Sequence, residues 1–201
     1  MNYPAQRSTP LPPMMTVADF LEWPGDGMGT RFELVDGVLR AMAPATDTHG
    51  TIQSNINYLI ALHLRARSMP CRVVANPGVQ PHVRADWNFR IPDLGVTCKP
   101  NRSGDVMVPE PILLIEVLSP GNAGDTYENV RAYATIPTVT EIVVVHSARM
   151  RVELLTRDAQ GHWPLDPAMI EGKDAVLWLA AINAELPLAE IYTGTHFVAT
   201  S

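Results

Sequence analysis

Lysine is almost absent from this 201-residue chain, with Lys99 and Lys173 its only two. Acidic residues outnumber basic ones by 21 to 15, for a formal net charge of −6. That excess excludes a protein that coats nucleic acid through bulk positive charge. It leaves room for a local basic groove, or for an enzyme that meets DNA briefly. Cysteine is equally sparse. Cys71 and Cys98 cannot build a disulfide framework and lack the spacing of a zinc finger, so a reducing cytoplasm is the expected compartment. Cys98, in a strand-like run, is expected to be a small buried apolar residue. No run of eighteen apolar residues occurs, which excludes a membrane-spanning helix, and the first residues carry no apolar core of a secretory signal. Aromatics make up 6 % of the chain and do not interleave with a basic run, which argues against a base-stacking platform.

What is present fits one globular domain, since 46 % of the residues are hydrophobic and 18 % charged. Met1 to Pro13, rich in Pro, Ser and Thr, reads as a flexible tail, residues 14–192 as a single domain, and 193–201 as a C-terminal tail. Thr16 is placed to cap a short helix that Pro24 ends. Arg31–Val35 and Val38–Met42 flank Asp36-Gly37, the signature of a hairpin closed by a type I′ turn. From Asp47 or Thr48 to about Arg67, apolar residues at Ile52, Ile56, Leu59, Ile60 and Leu64 form one helical stripe. Strand-like runs follow at Arg72–Ala75, Gly78–Val83, Arg90–Cys98 and Ile112–Val117, then a helix over Gly124–Ala134. Strands are expected at Ile142–His146 and Arg151–Thr156, a further one beginning at Gly161–Leu165, and a closing helical turn within Leu186–Tyr192. The sum is a mixed α/β (α+β) domain with a central sheet flanked by helices.

Acids inside apolar runs are the informative feature, because ionised carboxylates are seldom buried unless paired or bound to a metal. Glu116 sits within Ile-Leu-Leu-Ile-Glu-Val-Leu, Asp93 follows Ile91-Pro92, and Glu33 lies in the first hairpin strand. If the strands carrying Asp93 and Glu116 are neighbours, their carboxylates meet. Two hard oxygen ligands, with the carbonyl of Val117 and waters, suit Mg²⁺ or Mn²⁺, and Glu33 would act through water or orient the ion. Such an ion polarises a phosphoryl oxygen and lowers the pKa of a bound water.

Five short motifs carry a resemblance. They are Phe32-Glu33-Leu34-Val35-Asp36-Gly37, Met42-Ala43-Pro44 with His49 after it, Ile91-Pro92-Asp93, Glu116-Val117-Leu118-Ser119-Pro120, and a final set of Asp125, Tyr133 and Leu186-Pro187-Leu188-Ala189-Glu190-Ile191-Tyr192. In this order, from about Met15 to Tyr192, they resemble the Uma-type restriction endonuclease family, a branch of the PD-(D/E)xK nuclease superfamily. The resemblance implies a restriction-endonuclease-like core and Mg²⁺- or Mn²⁺-dependent cleavage of phosphodiester bonds in DNA. Asp93 is then the motif aspartate, Glu116 the motif glutamate, and Glu33 the acid from the N-terminal part of the fold.

The superfamily pattern continues Glu-x-Lys, but Leu118 stands two residues after Glu116. In this branch the lysine is displaced to the next helix, four residues after an aspartate and four before a tyrosine. Asp125 and Tyr133 bracket that slot, and it holds Asn129. An amide bonds a water or a phosphate oxygen but brings no charge. Arg131 and Arg90 are the first alternatives for the missing cation, while Arg65, Arg67, Arg72, Arg84 and Arg90 are the nearest thing to a basic cluster. His49 reads as a capping or surface histidine, and His146 as an exposed strand end. The leading expectation is an endonuclease with Asp93, Glu116, Asn129 and Glu33 in its site. The alternative is a catalytically impaired nuclease fold that binds nucleic acid or forms an oligomer. DNA is the expected partner and a membrane is not. A homodimer suits a cut on both strands by analogy.

Overall fold

The computed structural model describes residues 14–198, so the tail expected over Met1–Pro13 lies outside the described residues. Among the described residues three sheets are formed, and the largest has six strands. In chain order its strands are β3 (Arg72–Ala75), β4 (Leu94–Thr97), β5 (Pro111–Leu118), β6 (Glu141–His146), β7 (Arg151–Thr156) and β8 (Ala168–Glu171), adjacent in that same order. Every neighbouring pair is antiparallel except β5–β6. A parallel pair needs a crossover, and helix α3 (Ala123–Tyr133) supplies it.

β5 is buried on both faces, as its near-continuous apolar run implies. Leu113, Ile115 and Val117 point to helix α2 (Asp47–Ala66), whose stripe of Ile52, Ile56, Ile60 and Leu64 covers that face. Leu114 and Leu118 point the other way and pack with Val130 and Tyr133 of α3. Among the described residues no helix is long and apolar enough to cross a membrane.

Two hairpins frame the sheet. The first joins β1 (Phe32–Val35) to β2 (Val38–Ala41) through Asp36 and Gly37, both at positive φ (50° and 86°), as a type I′ turn requires. It is tied down where Leu34 and Phe89 exchange backbone hydrogen bonds of 2.8 and 2.9 Å. Ahead of it, Thr16 and Asp19 form a capping box on α1 (Val17–Glu22). The second hairpin joins β9 (Val176–Leu179) to β10 (Ala184–Pro187) and leads into the single turn α4 (Leu188–Ile191). Tyr192 then buries its ring, with its hydroxyl 2.8 Å from the carbonyl of His146 and accepting from Arg151 N–H at 3.2 Å. Within residues 193–198, Thr195 is buried and the Phe197 ring meets that of Tyr192.

Several expectations require correction. Gly78–Val83 makes only isolated bridges, at Gly78 and Val79. A Cβ at Gly78 would lie 2.4 Å from the Phe89 ring, so this segment is held by close packing rather than by a ladder. The strand expected from Arg90 begins only at Leu94, after Pro92, which has no N–H to give a ladder. Gly161–Leu165 forms turn and irregular backbone, with β8 later in the chain. The closing helical turn expected within Leu186–Tyr192 does form, as α4, once β10 has ended at Pro187. Cys98 is not a free apolar residue but is disulfide-bonded to Cys71. The β3–β4 register pairs Arg72 with Thr97, which sets the two cysteines opposite one another.

Candidate functional site

The β4–β5 register pairs Leu94 with Ile115, and continued by one residue it sets Asp93 opposite Glu116. Glu116 is 7 % exposed and faces α3. Its Oε1 accepts a 2.6 Å hydrogen bond from the Tyr133 hydroxyl and a 3.3 Å bond from Asn129 Nδ2. Asn129 and Tyr133, four apart, share one face of α3. Asp93 is gripped on both oxygens. Val117 N–H donates to Oδ2 at 2.6 Å, and His49 Nε2 lies 2.9 Å from Oδ1.

His49 is therefore not the surface histidine expected. It is buried in the first turn of α2, where Thr46 caps its N–H, and its Nδ1 lies 3.3 Å from Ser119 Oγ. His146 is buried too, 2.7 Å from Glu153, which also accepts from the Tyr127 hydroxyl at 2.8 Å.

Glu33 closes the site from the β1–β2 hairpin. Its Oε1 accepts from Ile91 N–H at 2.8 Å and from Asn129 Nδ2 at 3.2 Å. Its Oε2 lies 2.7 Å from Arg40 Nη2. The hairpin register places Arg40 directly across from Glu33. Arg40 Nη2 also donates to Asn129 Oδ1 at 2.5 Å, and Nη1 reaches Glu128 at 2.7 Å and Asp125 at 3.3 Å. Arg90, buried beside this group, gives Nη1 to the Leu34 carbonyl at 3.0 Å and lies 4.0 Å from Glu128. Arg131 is exposed.

Burial pushes the Glu116 carboxyl well above its ordinary range, and the neighbouring Asp93 and Glu33 charges add to the rise against the bonds from Tyr133 and Asn129. Burial likewise holds the Tyr133 phenol protonated, with the Glu116 charge next in effect. Burial lowers the Arg90 guanidinium, which the Arg40 charge also disfavours. Burial opposes the Arg40 charge as well, but the Glu33 bond and the surrounding acids outweigh it and raise its value.

Residues 17–188 match the model of the family described as "Uma2: Putative restriction endonuclease". The chain belongs to the Uma2 family. An uncharacterized protein of the cyanobacterium Synechocystis is 27 % identical over 187 residues, covering 92 % of this chain and 95 % of its own. A solved structure from Anabaena variabilis, described as that of a putative nuclease belonging to DUF820, superposes with a TM-score of 0.70. That match covers 89 % of this chain and 98 % of the other at 15 % identity, a likeness of fold.

The donors in this Uma2 site suit one class of ion. Glu116 commits Oε1 to Tyr133 and Asn129, while Oε2 takes no hydrogen bond from the described residues. Among the described residues no three His, Cys, Asp or Glu side chains form a ready-made cage. Two carboxylates with a backbone carbonyl and waters fit Mg²⁺ or Mn²⁺ and not a structural zinc. The sequence reading missed Arg40 and undervalued His49. For Arg40 a signal was present, because a two-residue turn at Asp36-Gly37 fixes the register that pairs Glu33 with Arg40. For His49 the signal was its place in the second motif, but its burial depends on where α2 docks.

Proposed function

We propose that this protein is a divalent-metal-dependent endonuclease that hydrolyses phosphodiester bonds in DNA. The observation that carries the reading is Glu116, a buried carboxyl opposite Asp93 and near Glu33, an arrangement that is costly without a counter-ion. Asp93, Glu116 and the carbonyl of Val117 would hold Mg²⁺ or Mn²⁺. When bound, such an ion polarises a phosphoryl oxygen and lowers the pKa of a bound water.

The remaining work falls to the chain's own groups. Tyr133 and Asn129 fix the Glu116 carboxyl, and Val117 N–H and His49 fix that of Asp93. Held at both oxygens, Asp93 has little rotational freedom to lose on binding. Water is the nucleophile, and the Asn129 amide, committed to Glu33, Glu116 and Arg40, orders the groups around it. Two copies related by a two-fold axis would present one site to each DNA strand.

A second reading is a nuclease fold that binds nucleic acid without cutting it, favoured by the amide of Asn129 in the slot the resemblance gives to a lysine. The test is nicking of supercoiled plasmid with Mg²⁺ or Mn²⁺, alongside calorimetric titration of Mn²⁺. The nuclease reading expects cleavage that Asp93→Asn and Glu116→Gln each slow by ~10²–10³. Mn²⁺ and DNA binding without cleavage selects the second reading, and failure to bind either overturns both.

A further inference from the structure

A phosphodiester brings negative charge into a site already lined by Glu33, Asp93, Glu116, Asp125 and Glu128, and its cleavage develops more. Among the described residues two guanidinium groups reach this cluster. Arg90 is unfit to touch substrate, since its side chain is 3 % exposed and it gives Nη1 to the Leu34 carbonyl. Arg40 is 20 % exposed and holds the two edges of its guanidinium very differently. The inner nitrogen, Nη2, bonds the buried Glu33 carboxylate and the buried Asn129 amide oxygen. The outer nitrogen, Nη1, bonds Asp125 and Glu128, whose side chains are 60 % and 41 % exposed. Ion pairs to exposed carboxylates are worth little because water and salt compete for both partners.

We propose that Arg40 is the phosphate-binding cation of this site, anchored through Nη2 and free to exchange Asp125 and Glu128 for a substrate phosphate at Nη1. This rests on the nuclease reading above. It also accounts for the amide at position 129. Asn129 accepts from Arg40 through Oδ1 and donates to Glu33 and Glu116 through Nδ2, whereas an ammonium there could not accept and would repel the guanidinium. Arg40 and Asn129 together thus stand where a single lysine would otherwise serve.

The test combines cleavage in Mg²⁺, binding of a labelled duplex in Ca²⁺ across a salt series, and ¹⁵N spectra of the arginine side chains in the native protein. Arg40→Gln should cut ~10²–10³ slower, the usual cost of one preorganised stabiliser. Its log Kd against log salt should lose about one unit of slope, as expected when one phosphate contact goes. Arg40→Lys should keep the slope, and Arg40→Gln with Asn129→Lys should recover at least part of the lost rate. Arg65→Gln, on the last turn of α2, should change neither reading. In the native protein the Arg40 side-chain signals should move on saturation with duplex and those of Arg65 should not, which decides the matter even if Arg40→Gln fails to fold. If Arg40→Gln cuts and binds as the native protein does, or the Arg40 signals stay still in saturating duplex, Arg40 is a structural ion pair and the nuclease reading survives alone. If the native protein binds duplex but never cuts, the salt slope and the spectra decide. If it does neither, the nuclease reading falls and this inference with it.

Discussion

The parallel pair β5–β6 carries a buried glutamate at each end, and the two are held in opposite ways. Glu141, at the start of β6, is 1 % exposed and fully occupied by neutral donors. It accepts from the N–H groups of Ala180 and Ala181 at 3.0 and 2.8 Å and from the Thr156 hydroxyl at 3.2 Å, so it staples the β9–β10 hairpin to the sheet. Glu116, near the carboxyl end of β5, faces other carboxylates and keeps one oxygen without a bond from the described residues. A buried acid surrounded by donors belongs to the architecture. A buried acid surrounded by acids gives up stability and needs a further partner to justify its position. The carboxyl ends of parallel strands are also where α/β sheets gather their ligands.

The sharpest way to break this contrast is a crossed pair of substitutions. Glu116→Gln should lose cleavage by ~10²–10³, or about 2.7–4 kcal/mol of transition-state stabilisation, with the fold intact. Glu141→Gln should leave the rate per folded molecule unchanged. Glu141→Ala should act on stability instead. Of its three hydrogen bonds, the two from backbone N–H groups, taken at the low end because Ala180 is exposed, contribute about 1.5 kcal/mol each, so about 3 kcal/mol should be lost. For a chain of this size that lowers the melting temperature by roughly 6–12 °C. Equal losses of activity per folded molecule at both positions would erase the distinction.

The same two glutamates show how far the sequence could be read. Glu116 stood out because an acid inside Ile-Leu-Leu-Ile-Glu-Val-Leu has apolar neighbours on both faces whatever its partners. Asp93 stood out as an acid after Ile91-Pro92 at the start of an apolar run, and Asn129 was reached through the motifs of the family; the structure brings Asn129 to Glu116 and sets Asp93 across from it. Glu141 gave no such signal, because its partners lie about forty residues on, in a hairpin whose first strand the hydrophobic pattern did not reveal. The long helix and the Asp36-Gly37 hairpin were legible because local chemistry decides them. The disulfide, the burial of His49 and the bridges at Gly78 and Val79 were not, because each depends on which segments meet in space.

Divalent ions should separate the two ends again. An ion that binds only the folded protein stabilises it by mass action, by about 2.7 kcal/mol at a concentration one hundred times its Kd. Mg²⁺ or Mn²⁺ should therefore raise the melting temperature of the native protein and of Glu141→Gln. Asp93→Asn and Glu116→Gln should lose the rise. A melting curve indifferent to both ions at millimolar concentration counts against the metal site at β4 and β5.

The smallest effect is the pH dependence of the ion-free protein, and its sign is fixed by the direction of the Glu116 shift. In the folded state this carboxyl titrates above its ordinary value of 4.5, because burial and the Asp93 charge disfavour ionisation. The folded state thus keeps a proton that the unfolded chain releases. Stability from this position is complete below the ordinary carboxyl range and declines as pH rises through the window between the unfolded and folded values. Glutamine carries no such proton and keeps much the same shape. In the presence of a chelator, Glu116→Gln should melt with the native protein near pH 4 and above it near pH 7, with a gap that widens as pH rises. Each ~1 kcal/mol of that gap corresponds to roughly 2–4 °C. Adding Mg²⁺ at pH 7 should narrow or reverse the gap, since only the native carboxylate gains a partner. A gap that stays constant from pH 4 to 7 would mean that Glu116 does not titrate against its neighbours, and its burial would then need the same structural explanation as that of Glu141.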